Sequence, residues 1–369
     1  MPAPMDEAQL ISYLLRESLV RAESLVDDDL VVVDDSRRHR NYQVISRGGP
    51  SYFVKCGADP ERSAALDREA RNYRYLHSAR AGLTGFVPGL RAYDRHRSLL
   101  VVEFLPGGQD LRRYQSHPSR FSTVLARSLG RALAAVHRAR WDPGPAAGDD
   151  APHESGARPA LAAHLPGPAF VRAASGASIE TMKIIQRHAG LGAALERLQA
   201  SWRGTAMIHG DARWENFIAL PRAGASRRTR IKIVDWESGG IGDPCWDVGS
   251  VLGDYLSAWL TSIPVTISSP PERLVGLAGL PLSAMQPGIR AFWAAYARAM
   301  ALHGPAAADA VVRAVRYAGA RLVHAALEQA QSSAQLTGTV VFILQLSHNI
   351  LQRPEEAAAQ LLGLPVSVR

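Results

Sequence analysis

The apolar spacing of this chain is mainly strand-like up to about residue 105 and mainly helical after it, and that shift limits its fold more than any other feature. Up to about residue 105 the apolar residues come in short runs: LVVVDD at 30–35, NYQVIS at 41–46, SYFVKC at 51–56, RAYDR at 91–95 and SLLVVEFL at 98–105. Runs of this length, rich in Val, Ile, Tyr and Phe, read as strands, and the intervening RGGP as a hairpin turn. Two stretches, 7–27 and 61–78, interrupt them with helical spacing; in the second, Leu66, Ala70, Tyr73 and Leu76 share one face. PGG at 106–108 then ends the sheet.

Beyond that point the spacing is helical, over 119–139, about 180–203, and from about 246 to the end, around a compact strand-bearing stretch at 206–247. Residues 141–179 and 262–289 are rich in Pro, Gly and Ala and read as a loop-dominated insert and a connector. No internal repeat is present, which removes solenoids and propellers. The expectation is an α+β, bilobal chain: a small β-rich N-lobe over 1–105, a larger mostly helical C-lobe over 106–369, and a hinge near Glu103–Gly108.

Charge and cysteine content exclude several classes. The 369 residues hold Lys+Arg 42 against Asp+Glu 34, a formal net charge of +8, yet lysine occurs only at 55, 183 and 232. No basic run alternates with aromatics, so nucleic acid is not an expected partner. Cys56 and Cys245 are too few for a disulfide framework or a metal-ligand set. The start, MPAPMDEAQL, has no basic segment leading into an apolar one, and no apolar run approaches the ~20 residues of a membrane span. The expected protein is soluble, reduced and cytoplasmic, with no membrane partner.

Chemistry concentrates in residues 207–252. Apolar Met207 and Ile208 deliver His209, Gly210 and Asp211 at a strand end; Asn216 follows five residues after Asp211, and a second strand, IKIVD, ends in Asp235. Two strands that each deliver a carboxylate, with an amide between them, suit Mg²⁺, which takes few oxygen ligands from protein and fills the rest with phosphate and water. Phosphoryl transfer needs such an ion, and a carboxylate to orient the attacking hydroxyl and accept its proton. HGD or DW alone is ordinary strand-end chemistry. H-G-D-x-x-x-x-N, an apolar strand, D-W-E and then G-D-P-x-x-D together are far more specific.

On these residues the chain resembles the aminoglycoside phosphotransferase and choline-kinase-like family, relatives of protein kinases, whose H-R-D-x-x-x-x-N and D-F-G stand where His209-Gly210-Asp211, Asn216 and Asp235-Trp236-Glu237 stand here. The resemblance covers about 45 residues closely and the rest by element order. It implies a bilobal protein-kinase-like fold and an ATP- and Mg²⁺-dependent kinase. It implies that Asp211 is the catalytic base, that Asn216 and Asp235 are metal ligands, and that His209 is a scaffold residue of the catalytic loop. It implies also that Asp247 braces that loop and that Asp243 is structural.

The same resemblance assigns parts to the first hundred residues. Lys55 ends an apolar strand and suits the nucleotide-phosphate lysine. Glu69 is its expected partner, with Glu61 and Asp67 as nearby competitors. Glu103 and Leu105, in Val102–Leu105, would pair with adenine through their backbone. No G-x-G-x-x-G is present; Ser36 through Asn41 would cover the phosphates by backbone N–H groups, with Arg37, Arg38 or Arg40 in reach.

The acceptor is read from charge. Aminoglycosides are polycations, whereas from residue 286 onward the chain has only Asp309, Glu328, Glu355 and Glu356 against seven arginines. Like charge repels, so antibiotic acceptors are disfavoured, although Asp149, Asp150 and Glu154 keep them open. HGDARWEN and DWESGGIGDPCWDVGSVLGDYL look like the kinases of class V lanthipeptide and thioamitide-type biosynthesis. That likeness implies phosphorylation of Ser and Thr in a ribosomally made precursor peptide, ahead of phosphate elimination by an effector-like lyase partner. A small-molecule alcohol is the alternative acceptor, and a pseudokinase binding module is disfavoured because Lys55, Asp211, Asn216 and Asp235 are all present. Arg213, two residues past the base, is either a ligand for peptide or developing charge, or a surface arginine.

Overall fold

A computed structural model describes residues 5–27, 29–36, 40–78, 83–139, 158–221, 230–264 and 276–364. Within them the chain forms two compact units. One joins the stretch up to Gln109 with Ile218–Gly240; the other comprises Asp110–Arg138, the stretch up to Phe217, and everything from Ile241 onward. Among the described residues no helix is long and apolar enough to cross a membrane.

The first unit is built on a five-stranded sheet in the order β1-β2-β3-β5-β4. Its strands are β1 (Leu30–Asp34), β2 (Asn41–Ser46), β3 (Tyr52–Cys56), β4 (Leu90–Asp94) and β5 (Leu99–Glu103). All neighbouring pairs are antiparallel. Helix α1 (Glu7–Arg16) starts in a capping box between Asp6 and Gln9 and covers one sheet face. There Leu10, Tyr13 and Leu14 meet Val44, Val54 and Val101. Helix α2 (Pro60–His77), capped by Asp59, packs against β4 and β5. With helices on both faces, β3 and β5 are apolar without strict alternation. Strand alternation still operates at one important position. Val54 and Cys56 belong to the core shared with α1, so Lys55 between them points to the other face.

The second unit is helical. Helix α3 (Thr123–Arg138) packs on α7 (Leu282–Ala299), and α6 (Pro244–Thr261) on α8 (Gly304–Gln331), which in turn meets α9 (Gly338–Gln352). Glycine sets these distances: a Cβ on Gly130 would lie 2.4 Å from the Phe292 carbonyl oxygen, and one on Gly249 2.5 Å from that of Ala314. The remaining elements are α4 (Gly176–Arg187), α5 (Ala189–Ala200) and β6 (Ala206–Ile208). In the first unit β7 (Phe217–Leu220) lies beside β8 (Arg230–Ile233).

Three sequence expectations are corrected. The helix over 7–27 stops at Arg16, because Ser18 turns left-handed at φ 55° and the Leu19 N–H returns to the Leu14 carbonyl; a separate turn forms at Glu23–Val26. The helix over 180–203 is two helices that meet at His188. The connector over 262–289 is shorter than expected, since α7 begins at Leu282 and carries Pro287 within it. Burial of Met285, Ile289 and Phe292, at roughly 1.5–3 kcal/mol per side chain, outweighs the one hydrogen bond a proline forfeits. The first part of the expected insert at 141–179, residues 141–157, lies outside the described residues; its later part carries a 3₁₀ turn at Pro159–Ala162 and a short helix at Pro168–Ala173.

Candidate active site

Lys55 emerges from β3 on the face away from α1, opposite Asn41 on β2. Glu69 lies on the buried face of α2, three residues after Leu66 and four before Tyr73. The Lys55 Nζ donates to both Glu69 oxygens, at 2.7 and 2.8 Å, and to Asp235 Oδ1 at 2.5 Å. Of the three competitors on α2 it is therefore Glu69 that meets the lysine. Glu61 is exposed, and Asp67 pairs with Arg71 and Tyr93. Lys55 and Glu69 are buried, and Asp235 keeps 37% of its side chain accessible. Burial pulls the lysine pKa down, but the two carboxylates more than reverse this and raise it, so the ammonium stays charged. Burial pushes Glu69 up, to about 7, against the pull of Lys55.

The D-W-E segment is fixed to α2 by its backbone. Asn72 Nδ2 donates to the Trp236 and Gly239 carbonyls at 2.8 and 3.1 Å, and the Trp236 N–H reaches Glu69 Oε1 at 3.3 Å. Arg62 pairs with Glu237. Trp236 is wholly buried. Asp235 itself adopts a left-handed conformation, φ 66°, ψ 61°, which costs a non-glycine residue about 1–2 kcal/mol. Such strain at one carboxylate points to a functional demand on its direction.

Oxygens of Glu69, Asp235 and Glu237 lie within 4.8 Å of one another. Lys55 already compensates the first two and Arg62 the third. Asp235, the most accessible, is the one suited to reach a hard cation. Asn41 adds a buried Oδ1 with no hydrogen-bond partner among the described residues. Its backbone N–H takes the Ser36 hydroxyl oxygen. Arg37 and Arg38 lie outside the described residues, and Arg40 donates to the Met5 carbonyl. The Glu103 carboxylate accepts from the Gly89 N–H at 2.8 Å, and the Leu105 carbonyl accepts from Gly108.

In the second unit, buried Met207 and Ile208 of β6 anchor the H-G-D loop. Gly210 has φ 79°, so only glycine fits there without strain. Asp247, at the start of α6, accepts from the His209 N–H at 2.6 Å, the Gly210 N–H at 2.9 Å and His137 Nε2 at 3.1 Å. Burial would raise its pKa, yet these bonds and the nearby imidazoles hold it below the usual carboxylate value. Trp246 Nε1 donates to the Gly210 carbonyl at 2.8 Å. His209 is buried, and its Nδ1 accepts from the Asp211 N–H at 3.2 Å. The three successive amides of His209, Gly210 and Asp211 thus end on buried side chains, which ties the loop's backbone down.

The side chains that loop presents are Asp211, Arg213 and Asn216. Arg213 Nε lies 3.0 and 3.1 Å from the two Asp211 oxygens, and its Nη1 3.2 Å from Glu328 on α8. Burial acts against the Arg213 charge, but Asp211 and Glu328 outweigh it. The residue is thus a paired, half-buried orienter of Asp211, not a free surface arginine. Asn216 Nδ2 donates to the Asp211 carbonyl at 2.8 Å, which directs its Oδ1 the other way. Asp243 caps α6 and binds Arg313 and Tyr317. An amide oxygen and a carboxylate are donors of the kind Mg²⁺ prefers; Asn216 offers the first in its unit and Asp235 the second in the other.

Sequence reasoning missed His137, Arg321, Glu328 and Asp254. His137, Arg321 and Glu328 sit in no motif and come from helices distant in sequence, while Asp254 lies on α6, seven residues past Asp247, with nothing in the letters to mark it. Asp254, a buried carboxyl on α6, accepts from the Trp214 N–H at 2.6 Å, and burial raises its pKa to about 7.

Comparison with known proteins follows the same residues. The family model described as "Phosphotransferase enzyme family" matches residues 29–267, well over half of the chain. The chain belongs to the phosphotransferase enzyme family. It is a kinase, and Lys55, Glu69 and Asp235, like Asp211, Arg213 and Asn216, fall within the matched range. Its fold is shared with a choline kinase from Cryptosporidium parvum Iowa II at TM-score 0.55, 11% identity, and coverage of 96% of this chain and 97% of that one. It is shared also with choline kinase LicA from Streptococcus pneumoniae (TM-score 0.50, 13% identity, coverage 93% and 98%). A candidate aminoglycoside phosphotransferase from Ralstonia eutropha JMP134 matches at TM-score 0.50 and 15% identity, with coverage of 94% and 96%. No curated protein matches the sequence significantly.

Proposed function

We propose that this phosphotransferase moves the γ-phosphoryl group of ATP to an alcohol hydroxyl. Asp211 serves as the base that orients the hydroxyl, and Lys55 as the cation on the nucleotide phosphates. The observation that carries the reading is the Lys55–Glu69–Asp235 cluster, in which a buried glutamate holds an ammonium against an accessible carboxylate. In this reading the acceptor oxygen bonds to the γ-phosphorus while the bond from phosphorus to the bridging oxygen breaks. Asp211 takes the hydroxyl proton and ADP leaves. Asn216 and Asp235 would hold Mg²⁺, which neutralises phosphate charge when bound. Arg213 keeps the Asp211 carboxylate in one orientation, and His209 holds the loop. Asn41 borders the phosphates, and the backbone at Glu103 and Leu105 takes the adenine. ATP chemistry and two free cysteines suit the cytoplasm.

A small-molecule alcohol is the acceptor we favour, as in the choline kinases that share the fold. The peptide reading has one observation of its own, the loop letters DARWEN followed by DWESGGIGDPCWD. In that reading the phosphorylated Ser and Thr pass to a lyase partner. Incubation with ATP, Mg²⁺ and either small alcohols or a Ser/Thr-rich peptide separates them, read as an ~80 Da mass gain on the acceptor. Gain on small alcohols alone supports the first reading. Gain on the peptide alone replaces it with the second, and no transfer to any acceptor overturns both.

A further inference from the structure

The acceptor side of Asp211 is not electrically neutral. Arg321, on α8, is 8% exposed, and its Nη2 lies 3.9 Å from Asp211 Oδ1, too far for a hydrogen bond. Its Nη1 lies 3.2 Å from His324 Nδ1, and the guanidinium rests over the Trp246 ring at 5.9 Å. A guanidinium has five donors and matches a carboxylate two at a time. No carboxylate within hydrogen-bond distance pairs with this one among the described residues. The acids nearest it are committed elsewhere: Asp211 and Glu328 to Arg213, and Asp254 to the Trp214 amide. Glu215 is paired with Arg112. Burial and then Arg321 lower the His324 pKa, against the pull of Glu328. A second arginine, the half-buried Arg158, also lies where the charges of Asp211 and Asp247 act on it.

A hydroxyl oriented by Asp211 must sit about 2.6–3.2 Å from its carboxylate. Arg321 lies beside the same oxygen, so the atoms next to that hydroxyl come within its reach. A guanidinium kept in a buried place with most donors unused is costly unless something else takes them. Resting on the phosphotransferase reading, we infer that the acceptor carries an anionic group, a carboxylate in the simplest case, a few bonds from the hydroxyl that is phosphorylated, and that Arg321 binds it. Cationic acceptors are then rejected at this position by like charge.

Three probes of similar size test this: glycerate, glyceramide and 3-aminopropane-1,2-diol. Each is titrated by calorimetry into the full chain holding a non-hydrolysable ATP analogue and Mg²⁺, for the wild type, Arg321→Gln and Arg321→Lys. The expected result is that glycerate binds the wild type at least tenfold more tightly than glyceramide, with the amine weakest. That preference is expected to vanish in Arg321→Gln and to survive in part in Arg321→Lys. Unchanged affinity for the ATP analogue checks that both variants fold. Glycerate binding no better than glyceramide, or a preference that survives Arg321→Gln, overturns the inference. So does a loss of analogue affinity in both variants when their circular dichroism and unfolding midpoint match the wild type, which would put the guanidinium on the transferred phosphate. If the glycerate preference holds but none of the probes gains phosphate and Asp211→Asn leaves ATP turnover unchanged, the base role of Asp211 fails and the anion site stands.

Discussion

Asp235 and Asp211 are both carboxylates held against a cation, and they are held by opposite means. Asp235 meets Lys55 from 180 residues away, and that ammonium is clamped in turn by a buried glutamate. Asp211 meets Arg213 two residues on, and the loop that carries both is fixed through its backbone amides to Asp247. One arrangement places charge by long-range ion pairing in the core. The other places it by local turn geometry over one buried carboxylate. Damage to the first is expected to fall on stability and nucleotide binding, and damage to the second on turnover.

The largest expected effect sharpens that contrast from the catalytic side. Asp211→Asn keeps the size and most hydrogen bonds of the side chain but cannot take a proton. Transfer is expected to fall at least about a hundredfold while affinity for an ATP analogue stays within about twofold. Steady-state kinetics beside calorimetry checks both, and undiminished turnover would remove the residue from the base role. Lys55→Met breaks the contrast from the other side. It strands Glu69 in the core, and a loss of about 3–5 kcal/mol in denaturant unfolding is expected, as for other buried pairs that lose one partner. Adding Glu69→Gln should restore much of it; no recovery in the double variant would show that the pair is not the source.

A smaller effect is expected at the loop brace. Asp247→Asn should cost about 3 kcal/mol, because amide and imidazole donors lose a charged acceptor. The folded Asp247 pKa lies below its unfolded value. Its stabilisation is therefore complete above the unfolded pKa, about 4, and is lost as pH falls through the folded one. The gap between wild type and variant should narrow below about pH 4, and a pH-independent gap would contradict the charge argument. Asp254 has the reverse sign. Its folded pKa is raised to about 7, so its contribution is present at low pH and lost as pH rises from about 4 to 7, at most about 1.4 kcal/mol per pH unit. Asp254→Asn should flatten that part of the stability profile, and an unchanged slope would assign it elsewhere.

The contrast also explains what the sequence could disclose. Asp211, Asn216 and Asp235 were legible because each terminates or follows a short strand at fixed spacing. Glu69 carried a subtler sign, an acid on the same helical face as Leu66, Tyr73 and Leu76, and only packing separated it from Glu61 and Asp67. The five strands were legible from their composition, with ends moved by a residue or so. Helix breaks at Ser18 and His188 were not, since apolar spacing continues across a turn that local backbone geometry imposes. Nor were His137 and Arg321, whose roles arise from tertiary neighbours on α6 and the catalytic loop and leave no pattern near themselves.

The division of labour between the two carboxylates is tested most directly by titrating a non-hydrolysable ATP analogue into wild type and Asp235→Ala, each with and without Mg²⁺. If Asp235 serves the metal–nucleotide complex, Mg²⁺ tightens binding to the wild type by at least tenfold and leaves the Asp235→Ala isotherm unmoved. An equal Mg²⁺ enhancement in both proteins would contradict that assignment.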